Sequence, residues 1–111
     1  MSGIDFSYLD EISGGDMEFR IEMIQTFLDE TPKDVAHMDA MAQAANWAEV
    51  GKVAHKMKSS IKMFGLESIK NQAVEIEQIG KSGAGTETLG QKVATFILGL
   101  QQAMVHLKGH L

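Results

Sequence analysis

A histidine that serves as a nucleophile needs an accessible ring, a cation nearby and room for its electrophile. The stretch from Gly51 to Lys62 holds residue types for all three. At about 100° per residue along a helix, Val50, Val53, Met57, Ser60, Ile61 and Phe64 fall on one apolar face. His55 points nearly opposite, flanked by Gly51, Lys52, Lys58, Ser59 and Lys62. A histidine that only filled a core would share the stripe with Met57 and Phe64. This one is expected in water, among lysines, with small residues about one turn to either side. A neutral imidazole attacks phosphorus through one ring nitrogen while the other keeps its proton. Lys58, one turn on, can neutralise charge on a transferred group. Gly51 and Ser59 are small enough to let a partner's active site reach the ring. A carboxylate from a neighbouring helix could take the remaining ring N–H and fix the tautomer.

The elements that must position this ring are all helical, since apolar residues recur at three and four and proline occurs once. A short first helix is expected over Tyr8 to Ile12, stopped by Gly14-Gly15. Asp16 caps a second helix with Phe19, Met23, Phe27 and Leu28 inward. Thr31-Pro32 then interrupts the pattern, because proline lacks an amide hydrogen and disfavours helical geometry before it. Thr31 can cap a following segment with Val35, Met38, Met41 and Ala42 inward, or the two pieces form one kinked helix. Asn46, with Glu49 three residues on, starts the helix that carries His55, and Gly65 ends it. Leu66, Ile69, Ala73, Ile76 and Ile79 mark the next helix, ending near Gly80. Thr86 is expected to cap the last, with Leu89, Val93, Phe96, Ile97, Leu100, Met104 and Leu107 in a stripe. The expected fold class is all-α: an antiparallel four-helix bundle with a short additional N-terminal helix, residues 1–111 forming one domain.

Composition narrows the chemistry. The chain has no cysteine, which excludes disulfides, thiolate metal sites and cysteine nucleophiles. Its net charge of −5 argues against non-specific nucleic-acid binding. Ten acidic side chains lie in residues 1–40 against only Arg20 and Lys33, whereas residues 47–66 carry four lysines against Glu49. A local positive patch on an acidic chain suits a specific anionic partner. No apolar run approaches the roughly 20 residues that span a bilayer, and no secretory signal is visible, so a cytoplasmic protein is expected. Gly80-Lys81-Ser82 resembles the end of a phosphate-binding loop, but Glu75 stands where the first glycine is required. His106 and His110 have ligand spacing without a third ligand. His37 reads as a surface or boundary residue. Eight methionines at helical spacing fill core gaps.

The run His55-Lys56-Met57-Lys58-Ser59-Ser60, with Gly65 ten residues after the histidine, resembles the signature of histidine-containing phosphotransfer (HPt) domains, His-x-x-Lys-Gly-Ser followed by a glycine at that distance. The Gly-Gly-Asp before the second helix, the Thr-Pro pair, the Asn-Trp helix start and Gly80 also fall where such domains have comparable features. Ser59 departs from the family's usual glycine but is still small. The resemblance implies that His55 is phosphorylated, that Lys58 steadies the phosphoryl group, and that Glu77 holds the other imidazole nitrogen. Gly51, Lys52, Ser59 and Lys62 would face a partner, and Tyr8, Leu9 and Ile12 would either rim that surface or cap the bundle. The implied role is a phosphocarrier in a multistep His–Asp two-component phosphorelay, a phosphohistidine intermediate more than a stand-alone enzyme, with no kinase or ATP site. The implied partners are response-regulator receiver domains and a hybrid histidine kinase, bound by a monomer without nucleic acid or membrane. No cofactor would be bound by this chain, the magnesium ion being the receiver's. The rival reading is a non-catalytic helical adaptor that binds receivers without phosphotransfer. A histidine-kinase dimerisation region is disfavoured by Lys56 after His55 and by the lack of a following proline.

Overall fold

In the computed structural model, which describes residues 3–111, five α-helices follow one another: α1 (Ser7–Ser13), α2 (Met17–Gln43), α3 (Trp47–Met63), α4 (Glu67–Ser82) and α5 (Leu89–Lys108). The described residues contain no strand. Helices α2 to α5 close into a bundle through α2–α3, α3–α4, α4–α5 and α2–α5 contacts, the α3–α4 contact being the most extensive. Short α1 lies against α2, where Arg20 pairs with Asp10 and sits 4.2 Å over the Phe6 ring. No helix among the described residues is long and apolar enough to cross a membrane.

The helix starts follow from side-chain caps. The Asp16 carboxylate accepts the Glu18 N–H at 2.9 Å and the Phe19 N–H at 3.4 Å, satisfying two otherwise orphaned donors of α2. The Asn46 side chain accepts the Glu49 N–H at 3.3 Å. The reciprocal half of that capping box is absent: the Asn46 N–H goes to the Met41 carbonyl, and the Glu49 carboxylate meets His37 at 3.2 Å instead. At the far end of α3, Gly65 turns the chain with φ +66°, and a Cβ there would lie 2.6 Å from the Asp5 Cβ. The Asp5 N–H donates to the Phe64 carbonyl at 2.8 Å, so the N-terminal segment is tied to the end of α3. The core gathers Ile24, Phe27 and Met38 of α2, Val53, Met57 and Ile61 of α3, Ala73 and Ile76 of α4, and Val93, Phe96 and Leu100 of α5. Phe64 closes one end, edge-on to Phe27 at 5.2 Å and to Phe6 at 6.2 Å.

Three expectations are corrected, and one pair of alternatives is decided. At Thr31-Pro32 the two pieces form one helix: α2 has 27 residues with Pro32 inside it. The buried residues Ile24, Phe27, Thr31 and Met38 form one stripe across the proline, whose ring sits on the exposed face. Continuous packing therefore outweighs one lost backbone hydrogen bond. Gly80 does not stop α4, which runs to Ser82 and ends at Gly83 in the left-handed conformation. Thr86 does not cap α5: Thr86–Thr88 form a 3₁₀ turn, and neither threonine makes a side-chain cap. Ser60 is exposed, and Ala54, at the opposite edge of the stripe, is buried.

Candidate functional site

His55 stands in the middle of α3, on the side away from Val53, Met57 and Ile61, with 67% of its side chain exposed. Glu77 reaches it from α4. The Glu77 side chain is only 11% exposed, yet it is charged, so it requires partners. It has three. Oε2 lies 2.7 Å from His55 Nδ1, Oε1 lies 2.6 Å from Lys58 Nζ, and Lys81 Nζ is 3.7 Å from Oε2. The Lys58 hydrogen bond holds the Glu77 carboxyl below its usual range; burial opposes this, and the His55 hydrogen bond and the two nearby charges add to it. Glu77 is therefore an acceptor only, and the proton in the 2.7 Å contact belongs to the ring. Nδ1–H donates to the carboxylate. In the neutral imidazole Nε2 is then left with its lone pair, on a ring that is mostly in water.

Beside His55 a groove of about 320 Å³ runs between α3 and α4, lined by Ala48, Gly51, Lys52, Glu77, Gly80 and Lys81. Lys52 lines it with no anionic partner among the described residues, whereas Lys56, on the next turn, is bound to Asp34 of α2 at 2.8 Å. Ser59 and Lys62 are exposed on the same helix, and Lys62 Nζ sits 5.4 Å from the centre of the Tyr8 ring. Tyr8 and Ile12 are 43% and 54% exposed while Leu9 is fully buried, so α1 caps the bundle with Leu9 and leaves an apolar rim beside Lys62.

Of the residues singled out in the sequence, His55, Lys58 and Glu77 come together in one hydrogen-bonded group. Gly51 is buried and lines the groove beside His55, and its α-carbon faces the backbone of α4 at Glu77 and Gly80, so its small size serves helix packing. Sequence reasoning misses Lys81, which it sees only within a false phosphate-loop match. The signal that would have found it is its i, i+4 spacing from Glu77, which puts both on one helix face. His106 and His110 bring no further ligands: among the described residues no group of three histidine, cysteine or acidic side chains could hold a metal. His110 packs edge-on to Phe6 at 4.9 Å. His37 is exposed beside Glu49.

A family model described as "Hpt domain" matches residues 22–109, which takes in α3, α4, α5 and most of α2. Neither the curated proteins nor the solved structures give a match to this chain.

Proposed function

We propose that His55 is the phosphoryl-carrying residue of this chain, which belongs to the Hpt domain family, the histidine phosphocarriers of His–Asp phosphorelays. The observation that carries the proposal is the 2.7 Å bond from Nδ1–H to a charged carboxylate on a ring 67% exposed. It leaves one nitrogen nucleophilic and accessible. Members of the family interact with receiver domains of response regulators and kinases. The incoming electrophile is thus an aspartyl phosphate on a receiver.

The Nε2 lone pair attacks phosphorus in line. The P–O bond to the receiver's aspartyl oxygen breaks, and the carboxylate leaves with that electron pair. No proton leaves the imidazole: the proton stays on Nδ1, hydrogen-bonded to Glu77, and the carboxylate offsets the positive charge that develops on the phosphorylated ring. In the onward step a second receiver's aspartate attacks phosphorus, and the P–N bond returns its electron pair to Nε2. Lys58, 29% exposed and bound to Glu77 at 2.6 Å, would supply a cation to the phosphoryl oxygens. Lys52, Ser59 and Lys62 form the surface that a receiver meets, with Tyr8 and Ile12 as its apolar edge. A magnesium ion shielding the phosphoryl group would be held by the receiver; the Glu77 carboxylate here is engaged by His55, Lys58 and Lys81. The chain works as a monomer in the cytoplasm, as carrier and not as kinase.

The test is incubation with a phosphorylated receiver and magnesium. Label should move to this chain in an acid-labile, alkali-stable form. His55→Gln should abolish it while shifting stability by about 1.5 kcal/mol or less, since the ring is mostly exposed and only its bond to Glu77 is lost. Label persisting on the variant refutes the assignment, and receiver binding without label supports the adaptor reading.

A further inference from the structure

Helices α3 and α4 run antiparallel, and two glycines face each other across them. A Cβ built on Gly80 would lie 2.5 Å from the Trp47 carbonyl oxygen and 3.0 Å from both the nitrogen and the α-carbon of Gly51. A Cβ built on Gly51 would lie 3.3 Å from the Glu77 carbonyl oxygen and from the Gly80 α-carbon. Every one of these neighbours is backbone, so none can rotate aside as a side chain would. The Trp47 carbonyl belongs to the first turn of α3 and points along it, so it cannot yield without loosening that turn. The only free adjustment is to move one helix off the other. His55 lies one turn after Gly51 on α3, and Glu77 lies one turn before Gly80 on α4, so the two pairs share one stretch of the interface. The short contact from His55 to Glu77 therefore exists at a helix separation that only bare α-carbons permit.

We infer that Gly51 and Gly80 are positioning residues for phosphotransfer: by letting α3 and α4 touch backbone to backbone, they set the distance at which Glu77 meets Nδ1 of His55. This rests on the reading of His55 as the phosphoacceptor. A methyl group at Gly80 pushes α4 outward, the hydrogen bond lengthens beyond useful range, and the ring is released to exchange tautomers and turn about its side-chain bonds. Both glycines also line the groove beside the ring.

Helical glycines elsewhere supply a control. A Cβ at Gly90, near the start of α5, meets nothing within 4 Å. The experiment compares Gly80→Ala, Gly51→Ala and Gly90→Ala, reading helicity by circular dichroism and the ring tautomer of His55 by ¹⁵N shifts of the unphosphorylated protein. The initial rate of transfer from a phosphorylated receiver is measured beside them. Native protein and Gly90→Ala should show the Nδ1–H form. Gly80→Ala should keep its helicity, because alanine favours helix over glycine, yet lose that preference and slow transfer by about tenfold to a hundredfold, as misplacement on the order of 1 Å does. Gly51→Ala, with its milder overlap, should fall between. A folded Gly80→Ala with native tautomer and rate overturns the inference. If Gly80→Ala fails to fold, Gly51→Ala decides: native tautomer there overturns it, and a weakened preference supports it. The tautomer is read without any phosphate present, so a chain that takes no label would refute the phosphocarrier reading and leave this measurement standing.

Discussion

Replacing Glu77 with alanine isolates what one carboxylate does for the histidine. The bond it makes to Nδ1–H is charge-assisted, a class worth roughly 1.5–3 kcal/mol when the carboxylate stays charged. Because 67% of the His55 side chain is in water, screening favours the lower end of that range, about 1.5 kcal/mol. The bond strengthens as positive charge builds on the ring during attack, so most of this loss falls on the transition state. At about 1.36 kcal/mol per tenfold, transfer should slow roughly tenfold. Glu77→Gln keeps an acceptor for Nδ1–H and loses only the charge, so it should slow transfer by less. The assay is the initial rate of label transfer from one receiver under excess magnesium, with His55 ¹⁵N shifts on the same samples. The ring of the alanine variant should lose its Nδ1–H preference. Refutation would be an alanine variant within about twofold of the native rate, with the native tautomer intact; the contact would then hold the helices together and contribute nothing to the chemistry.

Further predictions follow from the same group. Lys58→Ala removes the nearest cation from Glu77 and from the transferred phosphate. It should slow transfer while costing about 1 kcal/mol or less, as a partly exposed pair does, or about 4 °C in melting temperature; a fall several times larger would make the lysine a structural residue. Glu77 also gives a pH signature. Its folded-state pKa is depressed, chiefly by Lys58, so its contribution to stability is complete above the unfolded value of about 4.3 and disappears as pH drops through the lower folded value. Acid titration of melting temperature should therefore show a steep acid limb in native protein that flattens in Glu77→Gln, and parallel curves would contradict the pairing. Lys52→Ala and Lys62→Ala should weaken receiver association through a slower on-rate and a reduced dependence on salt, with the rate within a preformed complex unchanged; stopped-flow binding at two ionic strengths distinguishes this from a role in the chemistry.

His55 could be placed from the sequence because its angle around α3 is fixed by the apolar residues opposite, and those residues are consistent over four turns. Ser60 shows the limit of that geometry: it lies at the edge of the stripe, where a few degrees decide between core and water, and Ala54 occupies the buried side. Pro32 leaves a broken and a continuous helix both open, because local rules weigh a missing amide heavily and cannot weigh the packing of Ile24, Phe27, Thr31 and Met38 on either side of it. Gly80 was misread for another reason. Glycine ends helices through its backbone freedom and brings helices together through its lack of a side chain, and only the neighbouring helix reveals which is in use. Glu77 came from family resemblance alone, since its meeting with His55 depends on how α3 and α4 are phased. Lys81 followed from Glu77 and could not be singled out without it.

Only 22 positions separate the two ends of the hydrogen bond on which the chemistry rests, and a single tight bend at Phe64 to Leu66 bridges them. The reactive apparatus is thus a contiguous hairpin, while α2 and α5 act as its splint. Loop closure over so short a span is entropically cheap and local contacts form fast, so the reacting pair can assemble among the first tertiary contacts of the chain. Damage to the splinting helices would be felt first as lost cohesion and only later as lost turnover.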